Sequence, residues 1–216
     1  MDDRTLRQDI IDELDFDPSV HSSNTIGVAV RNGVVTLTGH VASFVEKLAA
    51  ERAARRVAGV RALAEGIEVR YSSDKKTADD QIAERALKVI AWDARVPADA
   101  IGVHVEKGRV TLEGSVPWHY QKSACEDAVR KLTGVAGVYN FIKIEPRIET
   151  ADIKDQIMAA LKRNAEVEAD AIRITVEDGT VTIEGKVKAW YERNLVEQAA
   201  WSAPGVASVI DRMRIG

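Results

Sequence analysis

The side chains of this 216-residue chain that could do chemistry are four histidines, one cysteine and many carboxylates. His21, His40, His104 and His119 form no HxxxH or HExxH pair, and Cys125 has no CxxC partner. A zinc site needs three or four nitrogen or sulfur ligands converging on one point. No metal is expected, and the histidines read as surface residues on strand ends. Asp12-Glu13 and Asp79-Asp80 have the character of solvated helix faces or caps. Acid–base catalysis needs a pocket that separates two carboxyl pKa values, and no such pair is visible. Ser22-Ser23 beside His21 is a polar loop. The glycines form neither a GxGxxG nor a Walker loop, so no cofactor is expected. With none of the required constellations present, the chain reads as a non-enzyme.

The totals narrow the class further. Hydrophobic residues make up 45% and charged residues 30%, an ordinary globular mixture. The net charge of −4, without a run of five like charges, argues against a nucleic-acid partner. One cysteine cannot form an intrachain disulfide. No stretch approaches the ~18 apolar residues of a membrane span. The first residues lack the basic and apolar regions of a secretory signal. The chain as it stands is therefore expected in the cytoplasm, and in the periplasm if a leader has been removed.

The glycines instead reveal a repeat. Val30-Arg31-Asn32-Gly33-Val34-Val35-Thr36-Leu37-Thr38-Gly39 returns as Val105-Glu106-Lys107-Gly108-Arg109-Val110-Thr111-Leu112-Glu113-Gly114. It returns again as Val176-Glu177-Asp178-Gly179-Thr180-Val181-Thr182-Ile183-Glu184-Gly185. Gly59-Val60, Gly134-Val135 and Gly205-Val206 each lie 26 residues past the first glycine of their copy. The periods of 75 and 71 are too long for a solenoid unit and long enough for a small domain. The expected domains are 1–71, 77–146 and 148–216.

Each copy predicts the same elements. A cap residue (Asp3, Asp79, Thr150) precedes helical apolar spacing at Leu6, Ile10, Leu14; Ile82, Ala86, Ile90; and Ile153, Ile157, Leu161. Strict alternation follows at Ile26, Val28, Val30 and at the matching positions, as in a strand with one covered face. The dipeptides Asn32-Gly33, Lys107-Gly108 and Asp178-Gly179 mark tight hairpins that need positive φ. Lysine suits that conformation least, so the middle turn is expected to use another geometry, such as a bulge with only Gly108 at positive φ. The second strand should bury Val35 and Leu37, Val110 and Leu112, Val181 and Ile183. A second helix spans roughly 43–57, 118–132 and 189–203, with Gly59, Gly134 and Gly205 as C-cap candidates. A last strand carries Leu63, Ile67, Val69; Val138, Ile142, Ile144; and Val209, Met213, Ile215. The fold class is α+β: three tandem α-β-β-α-β domains, each a mixed three-stranded sheet with both helices on one face. Arg31, Thr36, Glu113, Thr175 and Glu184 would line the open face. The linker Arg70–Ala78 is polar and 145–149 is shorter with a proline, so copies two and three should be held closer than one and two.

The paired glycines around the second strand, the second helix, the Gly-Val and the alternating last strand resemble the BON domain. That family takes its name from bacterial osmotically inducible and nodulation-related proteins. The resemblance implies a bacterial, non-enzymatic protein. Roles it implies include phospholipid or membrane-surface binding, envelope stress response and chaperoning. One cytoplasmic relative pairs a BON domain with a LysM-type domain and senses potassium; this sequence contains no LysM-type segment.

The large rings are the candidate binding residues. Copy two has Trp118-His119-Tyr120 where copy three has Trp190-Tyr191 and copy one Phe44-Val45, all at the entry to the second helix. Val45, which aligns with Tyr120 and Tyr191, is expected to be buried. These rings suit either packing against a neighbouring copy or an amphipathic anchor for a partner or membrane interface. Trp92 follows the first helix of copy two. Trp201 sits where the other copies carry Arg55 and Arg130, which suggests contact with another domain or subunit. Residues 1–72, 73–147 and 148–216, linkers included, carry net charges of −2, +1 and −3, so the middle segment is the favoured place for an anionic surface. The expected function is a modular adaptor for anionic phospholipid or a protein partner, with avidity from linked sites; a homo-oligomer is compatible. An ion or small-ligand sensor and a stress holdase are the alternatives.

Overall fold

The structure is a computed structural model and describes residues 2–71, 77–97, 100–145, 152–164 and 167–215. Copy one runs α1 (Asp3–Phe16), β1 (Ile26–Arg31), β2 (Val34–Val41), α2 (Phe44–Arg56) and β3 (Ala62–Val69). Copy two runs α3 (Asp79–Trp92), β4 (Ile101–Glu106), β5 (Arg109–Val116), α4 (His119–Val129), β6 (Gly137–Asn140) and β7 (Lys143–Ile144). Copy three runs α5 (Ile153–Arg163), β8 (Ile172–Glu177), β9 (Thr180–Val187), α6 (Trp190–Trp201) and β10 (Ser208–Ile215). The α-β-β-α-β order therefore occurs three times. The chain divides into two compact units, Met1–Ile90 with Val103–Thr111 and Asp127–Tyr139, and Ala91–Gly102 with Leu112–Glu126 and Asn140–Gly216.

In copy one β2 lies between an antiparallel β1 and a parallel β3. Copy three repeats this as β8-β9-β10, and in copy two β5 is the middle strand. Period two places Val28, Val35, Leu37, Val41 and Ile67 on one face. Leu6, Ile10 and Leu14 of α1 cover them, together with Ala49, Ala50, Ala53 and Ala54 of α2. Small alanines let α2 lie close on the sheet. Copy three builds the same core from Ile157, Leu161, Val181, Ile183, Val196 and Met213. Both helices of each of these copies thus pack on one face.

Several local expectations are corrected. The cap of α1 is Asp2, which accepts from Thr5 N at 2.8 Å. Asp3 reaches instead to the hairpin, where its carboxylate accepts from the Asn32 and Gly33 amides at 2.7 and 3.1 Å. Asp79 does the same for Lys107 and Gly108, at 2.7 and 2.9 Å. Thr150, the third of these positions, lies outside the described residues. The middle hairpin does not depart from the other two: φ is 52° at Asn32 and Lys107 and 47° at Asp178. Strand twist favours two successive left-handed residues in such a turn. The Asp79 hydrogen bonds offset the cost of placing lysine there.

The helix C-caps are Val57 and Ser202 rather than Gly59 and Gly205, and α4 ends at Val129, ahead of Gly134. These glycines sit in the turn before the last strand, with φ of 93°, 96° and 89°. Their carbonyls crowd the hairpin glycines. A Cβ on Gly33, Gly108 or Gly179 would meet the oxygen of Gly59, Gly134 or Gly205 at 3.1, 2.6 or 2.9 Å. In return the Gly33, Gly108 and Gly179 carbonyls accept from Arg61, Ala136 and Ala207 at 2.9, 2.8 and 2.8 Å. The spacing of 26 residues is the chain length between two mutually packed turns. Gly39, Gly114 and Gly185 leave no room either: a Cβ there would fall 2.0–2.2 Å from the carbonyl oxygens of Thr25, Ala100 and Ala171.

The last strand of copy two, expected to be continuous, breaks after Asn140, whose side chain accepts from Ile142 N at 3.3 Å. The linker comparison rests largely on residues 72–76 and 146–149, which lie outside the described residues.

Candidate functional site: exposed rings and helix ends

The entry to the second helix is fixed by a buried polar side chain that hydropathy patterning alone does not single out. Glu46 accepts from Ser22 N at 2.6 Å and Ala42 N at 3.1 Å, while Ser43 Oγ accepts from Glu46 N at 3.2 Å. This is a variant of the capping box, with the return bond made to the residue before the cap and a second one to the loop before β1. Glu192 accepts from Lys188 N at 2.6 Å and Glu168 N at 3.5 Å. Gln121 accepts from Trp118 N at 3.1 Å and donates to Arg95 O at 2.7 Å. The sequence signal for it is the spacing Ser43-x-x-Glu46 and Ala189-x-x-Glu192.

The next position outward is exposed in every copy. Val45 is 41% exposed, Tyr120 53% and Tyr191 57%, which overturns the expectation that Val45 is buried. The preceding side chains are half-buried. Phe44 and Trp190 are partly covered, and the Arg193 guanidinium lies 5.3 Å from the Trp190 ring centroid. His119 stacks on Trp201, with ring centroids 4.1 Å apart and planes 11° from parallel. His119 is therefore not a surface histidine on a strand end, and Trp201 meets another copy, as its place among charged positions suggested. Burial, then the nearby Lys122 charge, pushes the His119 pKa down. Trp118 lies 6.4 Å from Tyr120.

A second polar position faces the second helix from the last strand. Lys47 pairs with Glu65 at 2.8 Å, and Asn140 donates to Lys122 O and Glu126 at 3.0 and 3.1 Å. Arg193 pairs with Asp211. Burial, with the Asp211 carboxylate alongside, pushes the Glu197 carboxyl up to about 7. Cys125 is buried and its thiol is raised to about 11, which leaves it inert. Among the described residues no group of histidines, cysteines and carboxylates has the arrangement of a metal site.

The most exposed rings stand elsewhere. Phe16 ends α1 and is 80% exposed; Trp92 ends α3 and is 90% exposed. The two positions correspond, counted from Leu6 and Ile82, yet only Trp92 stands out in the sequence. Each ring is followed by an aspartate bound to arginine. Asp17 pairs with Arg56 at 2.7 Å and Asp93 with Arg95 at 2.6 Å. The Arg56 hydrogen bond lowers the Asp17 pKa, and those from Arg95 bring Asp93 down to about 2. The corresponding residue of copy three is Arg163.

Comparison with known proteins gives these repeats their family. The BON domain model matches residues 2–71, 78–146 and 149–216. The chain belongs to the BON domain family. Among curated relatives, the outer membrane lipoprotein DolP of Haemophilus influenzae is 26% identical over 156 residues, which cover 67% of this chain and 80% of that protein. The 21 kDa hemolysin of Actinobacillus pleuropneumoniae is 25% identical over 146 residues, 64% of this chain and 75% of that protein. A structural protein of the type III secretion system of Chlamydia trachomatis aligns over 98% of this chain and 92% of its own at 13% identity. Its TM-score of 0.27 is too low to bear on the fold. No helix among the described residues is long and apolar enough to cross a membrane. The expected cytoplasmic location gains no support from these relatives.

Proposed function

We propose that this BON protein is a non-catalytic module that docks on the anionic phospholipid surface of the bacterial envelope. It does so by laying Phe16 and Trp92 into the headgroup region. The observation that carries this reading is the near-complete exposure of both rings at corresponding helix ends. Exposed rings cost free energy in water, and tryptophan favours the interface, where its apolar body is covered and its N–H stays wet. Arg56 and Arg95 remain about half exposed close by in sequence or contact, and would reach lipid phosphates by exchanging their Glu13, Asp17 and Asp93 partners. Each ring gains about 2 kcal/mol on burial, too little alone, but linked contacts multiply. The relative called an outer membrane lipoprotein is consistent with this setting.

Co-sedimentation with vesicles of phosphatidylcholine, with and without phosphatidylglycerol, tests the proposal. The full chain should sediment with the anionic vesicles at low salt. Phe16→Ala combined with Trp92→Ala should lose most of that binding while Tyr191→Ala retains it. Equal sedimentation of the double variant and the parent would refute the assignment.

A further inference from the structure

The first strand of each sheet is an edge, and the copies treat it differently. In copy one, Arg7 Nε donates to Val28 O at 2.9 Å, which occupies the edge. The N–H and C=O of one residue in an antiparallel strand point the same way. Val28 and its alternates therefore face outward from β2. Val28 pairs with Leu37 as Ile174 pairs with Ile183, so Ile172, Ile174 and Val176 present the outward groups of β8. The Ile172 N–H is taken by Ala169 O; among the described residues, nothing bonds to the Ile172 carbonyl or to the outward groups of Ile174 and Val176. In copy three the place of Arg7 is taken by Lys154 and that of Ile11 by Met158. Between α5 and β8 lies a groove of about 540 Å³, lined by Lys154, Met158, Asp170, Ile172, Ile174 and Glu184 among others.

We propose that the β8 edge of copy three binds an extended peptide segment as a fourth strand. Its main chain pairs with the Ile172 carbonyl and with Ile174 and Val176, an apolar side chain rests on Met158, and an acidic side chain meets Lys154. A row of alternating donors and acceptors at strand spacing is matched by another peptide backbone, whereas a lipid headgroup offers mainly acceptors. Lys154 forms no ion pair with a described residue, which leaves its charge for the incoming segment. The site is independent of the membrane contact, because neither Phe16 nor Trp92 takes part.

The test uses the full chain labelled with 15N and a blocked eight-residue peptide of alternating valine and threonine with one central glutamate. Amide shifts should concentrate at Ile174 and Val176. Lys154→Arg places the copy-one side chain over the edge. It should weaken binding about tenfold or more, with an unchanged circular dichroism spectrum. Lys154→Glu should weaken it through charge alone, and a peptide methylated at the pairing amides should not bind. Equal binding by the methylated peptide or by Lys154→Arg would overturn the proposal, as would shifts confined to other strands. A dimer paired through β8 in the absence of peptide would also overturn it, in favour of a second copy as occupant.

Discussion

Asp3 and Asp79 show how one side chain can serve a turn about 30 positions away. Both carboxylates accept from two consecutive amides of a left-handed hairpin turn. Charged acceptors make such bonds stronger than neutral ones. Asp79→Ala should cost about 1–2 kcal/mol, with a further penalty because Lys107 keeps its left-handed φ of 52°. Urea denaturation would check this, and an unchanged midpoint would show the clamp to be idle. Glu197 makes a separate prediction. Burial and Asp211 raise its folded pKa to about 7, above the usual carboxylate value. The protonated form is therefore favoured on folding. Its contribution is complete below the unfolded pKa and is lost as pH rises through about 7. Thermal melts between pH 5 and pH 8 should show the parent losing stability with rising pH. Glu197→Gln should flatten that loss.

At the scale of the element, the buried polar residue of the second helix is the least replaceable part. Glu192 is buried and holds the Lys188 amide at 2.6 Å. Glu192→Ala should leave that amide unpaired and cost about 1–3 kcal/mol. Glu192→Gln, the residue type at Gln121, should cost less, because an amide oxygen still accepts. Amide exchange at Lys188 distinguishes the two variants. The strands, hairpins and helices are legible because periods of two and 3.6 are written in Val35, Leu37 and in Leu6, Ile10, Leu14. Glu46, Glu192 and Asp211 are not, since a polar residue in an amphipathic pattern reads as solvent-facing until its partners are known. Val45 misleads in the opposite way: its apolar character says nothing of which side of the helix start it occupies. Gly59 reads as a cap because the sequence gives its distance from the helix but not the carbonyl it presses on Gly33. Phe16 escapes notice because one aromatic at a helix end is ordinary; its match to Trp92 emerges only when exposure is compared.

The whole molecule tests whether the copies fold separately. The cores of copies one and three each contain side chains from a single copy. His119 on Trp201 joins copies two and three across a modest stacked contact. Gly179 is a site where one copy can be damaged alone. Its φ is 72°, and a Cβ would stand 2.9 Å from Gly205 O. Gly179→Val forces a β-branched side chain into the left-handed region and against a backbone oxygen that is fixed by its own turn. The strain should be on the order of a few kcal/mol, a large share of a small domain's stability. Copy one shares none of this strain, so its transition should stay near that of the parent. Calorimetry of the full chain should then show an early transition for copy three and a later one for copy one. The copy-two transition reveals how much the His119–Trp201 stack couples the neighbours: it moves down with copy three if the coupling is strong. Tryptophan fluorescence from Trp190 and Trp201 should report the early step, and far-ultraviolet circular dichroism should report both. A single transition shifted as a whole would mean that the copies melt as one fused core, and the three-domain description would then fail.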